Sequence, residues 1–269
     1  MAEGGNHVIT VNDIDNFIDS LAHTYTKESW DNVGLLCGRR SKPVEKILIA
    51  LDPFAHVCQE AVEWGADVLV THHPIIFHAL KTVNDDTEIG RCLLTLAENG
   101  IAAINAHTNL DKAAAGVNHV LAQRLGLQNI DLFRPEAEDN YGNPIGLLRV
   151  GTVEAQSVEA FALHVKEALG CKGVRYVSGG QPVRKVAVGG GSCGSALYEI
   201  AGDCDTLVTA DIKYNQFWDA KALGVNLIDA GHFYTENPVC EYLAEQLRQR
   251  FPDVSVKISE THADCMEFA

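Results

Sequence analysis

The chain has 269 residues, 46% hydrophobic and 21% charged, a size and balance that suit a globular protein of one large domain or two ordinary ones. Its 36 acidic against 21 basic side chains give a formal charge of -15 with no basic stripe, so nucleic acid is not an expected partner. No apolar run approaches the length of a membrane span, residues 1–7 lack a signal-peptide pattern, and none of the eight cysteines forms a C-x-x-C pair, so a cytoplasmic protein with reduced, mostly buried thiols is expected.

In chain order, Lys46-Ile-Leu-Ile-Ala-Leu51 is a continuous apolar run and reads as a buried strand. Residues 57–64 have helical spacing, with Val57, Ala61 and Trp64 on one stripe, and Gly65 stops them. Asp67-Val-Leu-Val-Thr71 is the next strand, residues 89–99 a helix closed by Gly100, and residues 101–105 a further strand. A Gly- and Pro-rich stretch from about Leu127 to Val183 holds two strands, at 146–153 and 173–178, around a helix at 158–169.

The early order then recurs. Arg184-Lys-Val-Ala-Val parallels Lys46-Ile-Leu-Ile-Ala, Asp205-Thr-Leu-Val-Thr209 parallels Asp67 to Thr71, and residues 224–230 parallel 100–106. A helix at 239–250 and a strand at 255–259 close the chain. The alternation predicts an α/β fold of two similar α/β domains with mixed, largely parallel sheets. The expected division is residues 1–126 plus 231–269 for the first domain and 127–230 for the second.

Three segments carry candidate chemistry: Thr71-His72-His73-Pro74, His107-Thr-Asn-Leu-Asp111 and His232-Phe-Tyr-Thr-Glu236. Each follows a strand-like run, and ligand sites in α/β sheets favour the carboxyl ends of strands. His72 and His73 sit where a strand breaks at Pro74, so their rings can diverge toward two ions. His232 and Glu236 share a face if they open a helix, and one can hold each metal or Glu236 can bridge both.

Imidazole and carboxylate without thiolate suit Zn, Mn, Fe, Co or Ni. Five or six such ligands exceed the needs of one ion, which points to two divalent ions and metal-assisted hydrolysis. If the halves match, both His/carboxylate pairs face one cleft, with His72 and His73 lining it. His107 could bind metal, orient a ligand or shuttle a proton, and the last two are favoured because the other five ligands suffice.

The remaining histidines are singletons that read as structural or solvated, with His78, beside Phe77, the one to watch. Gly189-Gly-Gly-Ser-Cys-Gly194 follows a strand and reads either as an anion cradle or as a tight turn with close helix packing. No histidine pairs recognisably with Cys193, so a cysteine nucleophile is not expected.

At these residues the chain resembles the Nif-three-like proteins, also called GTP cyclohydrolase I type 2 homologues or dinuclear-metal-centre hexameric proteins. The matching segments are Glu28-Ser-Trp-Asp-Asn-Val-Gly-Leu-Leu36, Thr71-His-His-Pro-Ile-Ile-Phe77, Ala106-His-Thr-Asn-Leu-Asp111, Thr209-Ala-Asp-Ile-Lys-Tyr214 and Gly231-His-Phe-Tyr-Thr-Glu236. The resemblance implies the Nif-three-like fold, a ring-shaped homohexamer without a central inserted domain, and a two-metal centre held by His72, His73, Asp111, His232 and Glu236. It implies a GTP cyclohydrolase type 2-like hydrolase acting on a nucleotide or related small anionic molecule, or alternatively a non-enzymatic metal-binding scaffold with protein partners. The chain departs from the family pattern at Ala210 and Asn215, positions that bear on cleft shape and substrate choice.

Overall fold

The computed structural model describes residues 8–269; the first seven, where no signal-peptide pattern was read, lie outside the described residues. Helix α1 (Val11–Leu21) buries Val11, Ile14 and Ile18, and a 3-10 turn at Thr24–Thr26 follows. Strands β1 (Gly34–Cys37) and β2 (Lys46–Ala50) precede α2 (Ala55–Trp64), β3 (Val68–Thr71), α3 (Glu88–Glu98) and β4 (Ala102–Asn105). Short α4 (Thr108–Lys112) leads to α5 (Val117–Arg124), β5 (Gln128–Leu132) and a small hairpin of β6 (Ala137–Glu138) and β7 (Pro144–Ile145). Then come β8 (Arg149–Gln156), α6 (Val158–Leu169), β9 (Arg175–Val177), β10 (Val183–Val188), α7 (Ala196–Ile200) and β11 (Thr206–Thr209). The chain ends with α8 (Tyr214–Leu223), β12 (Asn226–Asp229), α9 (His232–Glu236), α10 (Pro238–Arg250) and β13 (Ser255–Ile258).

Contacts divide the chain into two compact units. The first runs to Leu110 and takes back Cys240–His262; the second comprises Asp111–Val239 and Ala263–Ala269. This differs from the division expected at residues 126 and 230. The reason lies in packing: Leu121, Ala122 and Leu125 of α5 join the core of the second unit, and Tyr234 of α9 packs on that same core.

The first unit is a five-stranded sheet in the order β1-β4-β3-β2-β13, parallel except for the β1/β4 edge. Leu48, Leu69, Val57, Leu96 and Ile101 meet where α2 and α3 cover one face. The second unit has six strands in the order β5-β8-β10-β11-β12-β9, parallel through β10-β11-β12 and antiparallel at both sides. Val186, Val188, Val208 and Ile228 face one core while Ala187, Leu207 and Leu227 face another. Strands buried on both faces need apolar residues at every position, which is why these runs lack alternation.

The two parallel centres are built alike down to single hydrogen bonds. The Asp67 carboxylate accepts from the Glu45 and Lys46 amides, as that of Asp205 does from Arg184 and Lys185. Ala102 N donates to Asp67 O at 2.9 Å, and Asn226 N donates to Asp205 O at 2.8 Å. At the carboxyl ends, Ala106 N reaches Thr71 O and Ala230 N reaches Thr209 O. Each unit thus presents a residue after its middle strand and a His-bearing segment after the next, the arrangement that the repeated sequence order predicted.

Candidate metal centre

In the first unit, β3 ends at Thr71, whose hydroxyl donates to His73 O at 2.7 Å and turns the chain. His73 N is tied to Leu51 O at the end of β2. His72 is fully buried, and its Nδ1 lies 2.9 Å from Ala106 O. A carbonyl only accepts, so Nδ1 carries the hydrogen and Nε2 keeps its lone pair. His73 Nδ1 lies 2.7 Å from Asp52 Oδ1, and His107 Nδ1 lies 2.8 Å from Asp31 Oδ1. The three rings cluster with centroids 5.0, 5.1 and 5.5 Å apart, and each offers one ligand atom within 4.8 Å of the others.

Asp31 is buried beneath His107. Burial alone would push its carboxyl up, but hydrogen bonds from the His107 ring and from the Thr108 hydroxyl and amide outweigh it. The carboxyl is therefore held well below the usual carboxylate range, and it stays an anion that fixes the imidazole.

In the second unit, β12 ends at Asp229, and Gly231 takes a positive φ of 83° to launch α9. His232 and Glu236 lie one turn apart, with Nε2 3.0 Å from Oε2. His232 Nδ1 lies 2.7 Å from Asp211 Oδ2. Asp211 follows β11 and sits in the left-handed region at φ 54°. When Nδ1 donates to Asp211, a neutral ring turns a lone pair toward the Glu236 oxygen. Two lone pairs at this distance call for a cation, either a proton or a metal ion.

Glu236 is 4% exposed and packs on the glycine loop. A Cβ on Gly190 would fall 3.1 Å from Glu236 Cγ, and one on Gly191 would collide with the carboxylate and lie 3.1 Å from His232 Cε1. The loop amides are engaged: Gly190 N donates to Asn118 Oδ1, Gly191 N to Thr235 Oγ1 and Cys193 N to Thr209 Oγ1. Of the two readings of this loop, the structure gives the tight turn with close helix packing. Asn118 also donates to Asp111 O, so Asp111 and the loop share one anchor. Burial pushes the Cys193 thiol up, with the nearby Asp111 and Glu236 charges adding to it.

The structure thus gathers His72, His73 and His107 in the first unit, and His232 with Glu236 in the second, with Asp111 near enough to Glu236 for both to act on Cys193. Sequence reasoning missed the residues that orient the rings: Asp31, Asp52, Asp211 and the carbonyl of Ala106. The available signal was chemical. A metal-binding histidine gives its other ring N–H to a carboxylate or carbonyl, and Asp31, Asp52 and Asp211 stand close to the strand ends or motifs already singled out. Of the other histidines, His164 Nε2 contacts Leu125 O and His262 Nδ1 accepts from Leu51 N, both structural roles.

A family model described as Duf34/NIF3 (NGG1p interacting factor 3) matches residues 9–265. A Clostridium perfringens protein named GTP cyclohydrolase 1 type 2 homolog is 36% identical over 265 residues, covering 96% of this chain and 99% of its own. A Streptomyces coelicolor protein of the same name is 37% identical over 260 residues, covering 92% of this chain and 90% of its own. Among solved structures, a Bacillus cereus protein related to NIF3 matches with TM-score 0.91 at 26% identity, covering 97% of this chain and 99% of that one.

Proposed function

This chain belongs to the Duf34/NIF3 family, and from that premise we propose that it is a dinuclear-metal-dependent hydrolase acting on a nucleotide or related small anionic molecule. The observation that carries the reading is the ring chemistry: four histidines, His72, His73, His107 and His232, each have Nδ1 against a carbonyl or carboxylate, so each offers Nε2. The proposed ligands of two divalent ions are His72, His73, Asp111, His232 and Glu236. Zn, Mn, Fe, Co and Ni all suit this donor set. When bound, such a pair lowers the pKa of a bound water and polarises the group under attack.

His107 is the proposed proton carrier. The buried Asp31 anion holds its Nδ1–H and stabilises the imidazolium formed when Nε2 takes a proton. The Asp52–His73 and Asp211–His232 pairs hold the proposed ligand rings in one tautomer and orientation. The name of the relatives points to GTP as the first substrate to try. The proposed setting is the cytoplasm: no described cysteine is in a disulfide, and no described helix is long and apolar enough to cross a membrane. The proposed assembly is a homohexamer.

The test is incubation of protein loaded in turn with Mn, Fe, Zn and Co with GTP, a nucleotide panel and cyclic amides. Turnover that tracks metal content supports the hydrolase. No turnover with full metal would sink it and favour a metal-binding scaffold, the reading that the interaction-factor description of the family supports.

A further inference from the structure

Beside His107, two large aromatic side chains stand in solvent. Trp30 is 58% exposed and Phe77 37% exposed, although both lie in well-anchored chain. Asn32 Nδ2 donates to Ile76 O at 2.7 Å and Asn105 Nδ2 to Asn32 O at 3.1 Å, which ties the Trp30 segment to the Phe77 segment and both to the end of β4. Glu28 N donates to Thr108 Oγ1, and Asp31 grips His107 and Thr108, so Trp30 is held from both sides. The two rings lie 5.8 Å apart at 58°, and each meets the His107 ring edge-on at 6.2 and 6.1 Å.

Rigid aromatic area left in water forgoes the stabilisation that burial would give. Here it borders the imidazole cluster, and a protein partner seated on these rings would cover the cluster as well. A flat ring carried by a substrate covers only the aromatic faces and leaves the imidazoles free to act. We propose that Trp30 and Phe77 form a stacking platform for a planar heteroaromatic ring, so that the substrate is an anionic molecule bearing such a ring rather than a bare sugar phosphate or an aliphatic amide. This rests on the metal-site reading above and narrows its substrate class.

The test compares guanosine monophosphate with ribose 5-phosphate by calorimetry on zinc-loaded protein. The wild type should bind the nucleotide at least about fivefold more tightly, the low end of base–aromatic stacking. Trp30→Ala should erase that difference while keeping its metal, and Trp30→Phe should retain most of it. Equal binding of the two probes by the wild type, or an undiminished difference in Trp30→Ala, would overturn the platform. So would a changed oligomer mass in Trp30→Ala with selectivity intact, which would assign the rings to a protein contact. Metal content measured on the same samples separates the two readings: wild type unable to hold metal would sink the metal centre, while the ring-dependent difference would still decide the platform.

Discussion

At the scale of single residues, the proposed ligand roles differ in what a substitution should cost. Glu236→Gln keeps the size of a 4% exposed side chain but removes its charge beside His232, so both ions should be lost, whereas His72→Ala should mainly deplete one. Elemental analysis of the purified variants decides it, and two retained metals in Glu236→Gln would exclude a bridging role for it. His107→Ala should keep metal near wild-type content and slow any turnover by about a hundredfold or more, the usual cost of losing a general acid–base. Loss of metal in that variant would make His107 a third imidazole ligand instead, a role its place beside His72 and His73 permits. Gly191→Ala puts a methyl into the Glu236 carboxylate at φ 60°, so it should cost about 1 kcal/mol or more in strain and lower metal content, read by thermal unfolding and elemental analysis together. The candidate ligands could be named from sequence because imidazole and carboxylate at strand ends are a chemical signature. The acceptors behind the rings were not, since Asp31 reaches His107 across 76 residues of chain.

Among the elements, β13 is attached by more than its ladder to β2. Glu60 of α2 accepts from Ser259 Oγ at 2.6 Å, from the Glu260 and Thr261 amides, from Thr261 Oγ1 and from Lys257 Nζ at 3.1 Å. Burial would raise its carboxyl, but these donors prevail and bring it down to about 2 from an ordinary 4.5. A depressed carboxyl stabilises the fold fully above pH 4.5, and that contribution is lost as pH falls through about 2. Glu60→Gln should therefore lower stability at neutral pH and flatten the acid limb between those values, measured by denaturant unfolding across pH. An unchanged acid limb would show that the clamp contributes nothing. The parallel centres of both sheets were readable as apolar runs with Gly stops. The antiparallel edge strands β1 and β5 and helix α8 were not, because short or half-exposed segments carry weak periodicity.

For the whole molecule, the proposed homohexamer of 29.2 kDa subunits should be visible by light scattering, and a monomer at micromolar concentration would exclude it. The two-unit plan has a second consequence. Each unit has its own parallel centre and its own cores, so chelation of bound metal should alter stability where the ligands sit without dissolving either sheet. Hydrogen exchange with and without chelator checks this, and protection lost throughout β2-β3-β4 and β10-β11-β12 would show instead that metal holds the fold.

What the sequence determined by itself was the alternation of buried strands and helices, its recurrence, and the identity of the candidate ligands. These follow from local quantities: hydrophobic period, glycine stops and residue chemistry. The tertiary structure decided where the units divide, because α5 and α9 choose their core by packing rather than by position in the chain. It also decided that the glycine loop packs against Glu236, and which carbonyl or carboxylate faces Nδ1 of each histidine. Those outcomes depend on contacts between residues distant in sequence, and no local pattern records them.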